Sequence, residues 1–262
     1  SALESASREA VAAFGRGECL LEKQIVRPRH IETQCLADSH GNVVVVSTRD
    51  CTLQRRHQKV IEEAPAPFLT DDQNQVLVEA SQKILSHVGY MGAATCEFLL
   101  GQDGTITFME ANARIQVEHT ITEEVTGVDL VAWQLKIARG EHLPATMPTP
   151  RGHAFQFRIN AENPANRFIP ATGRIVELHE PPGPGIRMDS GVKEGTTVGT
   201  DFDPMLAKLI VTGENREQAL ARAKRALDEY VLHGVATLLP LHRELVQTPA
   251  FTTDFSVYTL WL

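Results

Sequence analysis

The stretch from Ala93 to His119, AATCEFLLGQDGTITFMEANARIQVEH, decides how this chain is read. Two extended segments, Ala93–Leu100 and Thr105–Glu110, flank Asp103 and Gly104, and Asp-Gly is hairpin chemistry because a type I′ turn needs positive φ at both central residues. With those two as the turn, Gln102 faces Thr105, and the register puts Glu97 opposite Glu110. Opposed side chains in an antiparallel pair have Cβ atoms ~4.5–5.5 Å apart, where like charges destabilise the sheet. A divalent cation removes the conflict, since Mg²⁺ takes one or two protein carboxylates and completes its shell with phosphate oxygens and water. A solvated carboxylate pair on an exposed face is the alternative. Beyond Glu110, the polar residues Asn112, Arg114, Gln116 and Glu118 alternate with Ala111, Ala113, Ile115 and Val117. Continued extended backbone would turn all the polar groups to one side.

Working outward, Asp71–Val88 has helical spacing with Gly89 at its end, and the prolines of Ala64–Pro67 favour an extended loop before it. Extended segments are expected at Cys19–Ile25, His30–Ala37 and Val43–Thr48, with Asp38–Asn42 as a turn, which together read as an antiparallel sheet. Ser1–Phe14 reads as an Ala-rich helix with Ser caps, closed by Gly15 and Gly17. On the other side, Ile121–Arg139 reads as one helix ending at Gly140, and the Pro-rich stretch Leu143–Pro150 is the expected boundary between a first unit (1–150) and a second (151–262). Strands are expected at His153–Asn160, Arg174–His179 and Ala207–Thr212. A helix over Asn215–Leu232 has Asn215 as cap, Gly234 as stop, and a buried stripe of Ala219, Leu220, Ala223, Leu227 and Val231.

Two further runs carry charge into apolar surroundings. Gln54-Arg55-Arg56-His57-Gln58-Lys59 can present several cations to an anion, or be neutralised by Glu62 and Glu63. Arg158, inside an apolar strand, is either paired structurally or aimed at an anionic ligand. The net charge of −8 opposes attraction to nucleic-acid phosphates and anionic lipid. No apolar run approaches the ~18–20 residues that span a bilayer, so no membrane partner is expected and the cytoplasm is the expected location. Four cysteines without CxxC spacing (Cys19, Cys35, Cys51, Cys96) suit reduced thiols.

The runs EKQI (22–25), PRHIE (28–32), RDC (49–51), QRRHQK (54–59), EEAPAP (62–67), RIQVEH (114–119) and RINAE (158–162) closely resemble biotin carboxylases in order and spacing. Glu110, Asn112 and Arg114 alone resemble only the wider ATP-grasp superfamily. The resemblance implies an α+β fold, an ATP-grasp carboxyl-terminal subdomain with an antiparallel sheet followed by a mixed sheet and helix domain. It also implies a ligase using ATP, Mg²⁺ or Mn²⁺, and bicarbonate to carboxylate biotin through carboxyphosphate. Glu97, Glu110 and Asn112 would hold the metal. Lys59, Arg114 and the backbone region of Gln116 and Val117 would bind bicarbonate, with Glu118 its general base, a task for a carboxylate kept ionised beside cations. Arg158 would meet the enolate-like biotin anion. Glu22 and Ile25 would flank adenine, and His30, Gln54 and His57 the ribose and phosphates. Asp203 would lie near biotin, or serve only as a turn former before Pro204.

Implied partners are a biotin carboxyl carrier domain, a carboxyltransferase subunit and a second copy of the chain. Phe255–Trp261 is similar to the carboxylase-domain end of acyl-CoA carboxylase α chains. Three departures stand out: Gln24 where relatives carry an aromatic residue, Thr120 where Pro commonly follows Glu-His, and the absence of a GxxxxGK loop. The last makes the chain an expected fragment of a longer polypeptide, holding part of a site and inactive alone. Rival readings are a different ATP-grasp ligase and a docking or dimerisation module without catalysis.

Overall fold

The β-branched and apolar runs of the chain assemble into strands that a single sheet collects. In the computed structural model, which describes residues Ser1–Leu262, eight strands form this sheet. They are β1 (Arg29–Ala37), β2 (Val43–Arg55), β3 (Gln58–Ala64), β4 (Gly92–Leu100), β5 (Ile106–Asn112), β6 (His153–Asn160), β7 (Ile186–Ser190) and β8 (Met205–Gly213), in the spatial order β7-β8-β6-β3-β2-β1-β4-β5. Every neighbouring pair is antiparallel. The sheet continues across the Pro-rich connection at 143–150, because β3 pairs with β6 through Ile61 opposite Phe157 and Glu62 opposite Gln156.

Helices α1 (Ala2–Phe14), α2 (Asp71–His87), α3 (His119–Thr126), α4 (Leu130–Ala138), α5 (Arg216–Glu229), α6 (Leu239–Leu245) and α7 (Pro249–Thr252) complete the fold. The largest apolar core lies where α5 and α6 cover β6 and β8, around Phe155, Phe157, Leu209, Val211, Ala223 and Leu227. A smaller one forms where α2 lays Leu77 and Leu85 against Ile31, Cys35 and Phe98. Thr70 caps α2 through a reciprocal pair with Gln73, and Asn215 caps α5 by accepting from the Gln218 amide at 2.9 Å. No helix is long and apolar enough to cross a membrane.

Four segments differ from the sequence expectation. Cys19–Ile25 belongs to no strand. The stretch 119–138 is two helices, because Gly127 takes the left-handed conformation (φ 69°) and Asp129 then starts α4 by accepting from the Ala132 amide at 2.7 Å. Helix α5 stops at Glu229, since Tyr230 is extended and Val231–His233 pairs instead with Glu177–His179. The expected strand over Arg174–His179 is split between that pair and a second short one, Gly173–Arg174 with Thr197–Val198.

Candidate active site

Glu97 does lie opposite Glu110, by a route the turn chemistry alone does not give. The β4–β5 connection is wider than two residues: the Gly101 amide donates to the Thr105 carbonyl and the Gly104 amide to the Gly101 carbonyl. Phe98 therefore faces Phe108, and a register shift between Glu97 and Phe98 inserts the extra residue that restores Glu97 to Glu110. The alternation beyond Glu110 also ends early. Strand β5 stops at Asn112, and Arg114–Glu118 pass through a bend and turn into α3. The polar groups still converge, because the turn carries them around the end of the same cavity.

That cavity has a volume of about 840 Å³. Its wall includes Ile25, His30, Gln54, His57, Lys59, Glu97, Glu110, Asn112, Arg114, Gln116, Val117, Glu118 and Arg158. Glu22 and Asp203 are not part of it. Glu22 is exposed in the irregular segment before β1, and Asp203 is exposed with its carboxylate accepting from the Met205 amide at 2.9 Å, the turn-forming role. Each element sets its own side chains. The β2–β3 hairpin turns at Arg56 and His57, both at positive φ (49° and 66°), and so brings Gln54 opposite Lys59.

Beneath the cavity runs a buried ionic seam. Lys59 Nζ donates to Glu118 Oε1 at 2.6 Å, contacts Glu97 Oε1 at 3.3 Å, and pairs with Glu32. Arg158 donates to Glu118 Oε2 at 3.0 Å and to Glu62 Oε1 at 2.6 Å. Glu118 is therefore held between an ammonium and a guanidinium. Arg49, with no exposed surface, donates to Glu32 Oε2 at 3.1 and 3.0 Å, to Gln34, and to Gln116 Oε1 at 3.2 Å. Burial pushes the Glu97 carboxyl up, but contacts from His30, Lys59 and Gln116 outweigh it and bring it down to about 2. Lys59 and Arg158 move the other way: burial opposes their charge, yet the carboxylates around them raise both above their ordinary values.

The donor set fits a divalent cation. Asn112 Nδ2 lies 2.9 Å from Glu97 Oε1 and 3.1 Å from Glu110 Oε1, so one amide hydrogen-bonds both opposed carboxylates. Glu97 is buried at the floor, while Glu110 is exposed to the cavity. In the seam, Glu32, Glu62, Glu97 and Glu118 meet Arg49, Lys59 and Arg158, and His30 Nε2 lies 2.8 Å from Glu97 Oε2. Glu110 faces Glu97 across the ladder with no cationic side chain of its own, and a divalent ion between the two carboxylates relieves that like-charge pair. The other acidic groupings near the floor, His30 with Glu32 and Glu97, and Glu32 with Cys51 and Glu118, are already served by Lys59 and Arg49.

Sequence reading missed three parts of this site. Glu32 and Arg49 were seen only as members of motifs, and nothing local marks them as a buried pair. Glu62 reads in sequence as a neutraliser of the basic run 54–59, yet it is fully buried, paired with Arg158 and hydrogen-bonded by Gln156, which in turn accepts from Thr120 at 2.6 Å. The third is the tail: Tyr258, Thr259 and Leu260 form a cavity wall, fixed by the Thr259 amide donating to the Pro28 carbonyl and by Arg27 over the Tyr258 ring. Its closing apolar run was legible, but not where it returns.

Residues 1–146 match the model of the carbamoyl-phosphate synthase L chain ATP-binding domain, and residues 156–262 that of the biotin carboxylase C-terminal domain. The chain belongs to this ATP-binding family, in its biotin carboxylase branch. It is 55% identical over 263 residues to the biotin-dependent acyl-coenzyme A carboxylase alpha3 subunit of Mycobacterium leprae, covering 99% of this chain and 44% of that protein. The crystal structure of a biotin carboxylase–β,γ-ATP complex from Campylobacter jejuni superposes with a TM-score of 0.93 at 40% identity, over 98% of this chain and 58% of that one. The biotin carboxylase domain dimer of Hydrogenobacter thermophilus 2-oxoglutarate carboxylase, solved with MgADP, ADP and bicarbonate, gives 0.91 at 41% identity, over 98% and 57%. The chain spans about half the length of these relatives.

Proposed function

We propose that this chain supplies the bicarbonate- and biotin-facing half of a biotin carboxylase site, which carboxylates biotin at the expense of ATP as the first half-reaction of an acyl-CoA carboxylase. The observation that carries the proposal is Glu118 held by Lys59 at 2.6 Å and Arg158 at 3.0 Å, in a cavity edged by the Glu97–Glu110 pair. Glu118 takes the proton of bicarbonate as its oxygen attacks the γ-phosphorus of ATP, and ADP leaves. The carboxyphosphate formed breaks into CO₂ and phosphate. Phosphate removes the N1′ proton of biotin, and the anion attacks CO₂. Lys59, Arg114 and the backbone region of Gln116 and Val117 hold the bicarbonate, and the permanent planar charge of Arg158 meets the biotin anion as it develops. Glu97 and Glu110, steadied by Asn112, would hold Mg²⁺ or Mn²⁺, which neutralises phosphate charge when bound. Ile25, His30, Gln54 and His57 serve the nucleotide. Glu22 is proposed beside adenine and Asp203 beside biotin, each from the resemblance alone.

The proposed partners are a biotin carboxyl carrier domain, a carboxyltransferase subunit and a second copy of the chain. The cytoplasm is the proposed compartment, in keeping with three buried cysteines that form no disulfide. The proposed division into units 1–150 and 151–262 rests on the Pro-rich stretch Leu143–Pro150, and family matches that cover 1–146 and 156–262 support it. The test joins this chain to the amino-terminal segment of a relative and measures ADP release with and without free biotin. Release should rise with biotin and fall roughly 100-fold or more in Glu118→Gln with the fold intact. Release indifferent to biotin overturns the reading.

A further inference from the structure

Two consecutive peptide groups at the mouth of α3 are held by side chains with no assigned role. His119 Nδ1 lies 2.7 Å from the Gln116 carbonyl oxygen, which also accepts from the His119 amide at 3.3 Å. Lys208 Nζ donates to the Val117 carbonyl oxygen at 3.1 Å and reaches Asp189 Oδ2 at 3.3 Å. A carbonyl accepts only from a protonated ring nitrogen, so the first contact places a hydrogen on Nδ1. Burial holds the imidazole below its ordinary value despite that carbonyl, which favours the neutral ring. The amides of Val117 and Glu118 make no hydrogen bond within the protein, although both residues line the cavity.

In a trans peptide the carbonyl and the following N–H point to opposite sides. Tying the Gln116 carbonyl to His119 therefore turns the Val117 N–H away from His119, and tying the Val117 carbonyl to Lys208 does the same for the Glu118 N–H. We propose that His119 and Lys208 are positioning residues that hold these two N–H groups toward the cavity as donors for the bicarbonate oxygens. This rests on the bicarbonate reading above and adds the two side chains that orient its backbone.

The sheet gives independent support. Lys208 on β8 sits directly opposite Arg158 on β6, a like-charge pair of the kind that destabilises a ladder unless each partner is otherwise engaged. Arg158 takes the Glu118 carboxylate, and Lys208 takes the carbonyl one residue before it. One cross-strand pair thus fixes both the side chain and the backbone of the same turn.

The experiment titrates the ¹⁵N-labelled chain with sodium bicarbonate and follows the Val117 and Glu118 amide resonances, with MgADP affinity measured in parallel. Bicarbonate should shift both amides. Lys208→Met and His119→Phe should weaken its apparent Kd about tenfold, the size of one buried hydrogen bond, and leave MgADP affinity within about twofold. His119→Asn, whose amide nitrogen can replace Nδ1–H, should recover most of the loss, and Lys208→Met keeps the test open if His119→Phe fails to fold. Equal bicarbonate affinity in wild type, Lys208→Met and His119→Phe, or in wild type and Lys208→Met where His119→Phe does not fold, overturns the positioning role alone. A wild-type chain that binds MgADP while bicarbonate leaves both amides unmoved overturns the bicarbonate reading and this inference with it.

Discussion

The two faces of strand β6 are both buried, and they are built from opposite materials. Phe155, Phe157 and Ile159 enter the large apolar core under α5 and α6, whereas Gln156 and Arg158 enter the ionic seam under the cavity. Alternation with period two places them so. The apolar face stabilises the fold by about 1.5–3 kcal/mol for each large side chain withdrawn from water. The ionic face has no such surplus, since desolvating several charges offsets much of their attraction. Its retention in the middle of a sheet is explained by what the charges face.

The contrast is sharpest when one buried ion is removed. Arg49→Met leaves Glu32 without its guanidinium, and Gln34 and Gln116 without their donor, in a region closed to water. The expected loss is about 3–5 kcal/mol in urea unfolding. On the apolar face, Phe157→Leu should lose less, about 1–2 kcal/mol, because the side chain stays apolar and gives up only part of its volume. If the two losses are equal, the ionic seam is no more sensitive to losing one member than the apolar core.

Acid should distinguish the faces by pH window. On the apolar side, His242 is fully buried against the Phe157 ring with Nε2 at 2.8 Å from the Arg158 carbonyl, and burial pushes it down to about 4 from 6.5. An imidazole lowered in the folded state binds its proton more readily when unfolded, so its contribution is full above 6.5 and is lost as pH falls from 6.5 toward 4. On the ionic side, Glu97 is lowered to about 2 from 4.5, so its contribution is full above 4.5 and is lost as pH falls toward 2. Each window is worth on the order of 3 kcal/mol at most. The fall of the urea midpoint should become shallower between pH 6.5 and 4 in His242→Gln and below 4.5 in Glu97→Gln, where Glu32, Asp38 and Glu63, also lowered, keep the rest of the slope. Flattening in the same window would break the distinction.

How much of this was legible follows the same division. The strand cores, the Gly89 end of α2, the Asn215 cap of α5, and the Glu97–Glu110 register follow from patterns within a few residues of each other. The two-residue turn did not form, yet the register survived because a bulge compensated for the wider connection. The break between α3 and α4 was visible as Gly127 and Asp129, but the apolar spacing ran through it and masked it. What could not be read were pairings across long separations: Arg49 with Glu32, Glu62 with Arg158, and the tail against Pro28. Charges inside strands look alike in sequence whether they face water or each other, and only the strand order β6-β3-β2-β1-β4 decides it.

The smallest expected change in stability falls on the residue whose loss should most affect metal binding. Glu110 is exposed on edge strand β5 and is held within the protein through the Asn112 amide at 3.1 Å. Glu110→Gln should therefore alter stability by no more than about 0.5 kcal/mol, as for other surface changes. It also removes the like-charge conflict with Glu97, which favours the folded state slightly. Yet if the pair exists to share a cation, the same substitution takes away one of its two carboxylates and leaves a neutral oxygen that is a weaker ligand for Mg²⁺. The Mg²⁺-dependent part of ADP affinity, measured by calorimetry with and without the metal, should fall about tenfold, roughly 1.4 kcal/mol. Metal-free ADP affinity should hold or improve, because a negative charge near the phosphates is gone. A variant whose Mg²⁺ dependence is unchanged would mean that the opposed carboxylates are merely tolerated at a solvated edge, and the ionic face would lose its metal while keeping its Lys59–Glu118–Arg158 array.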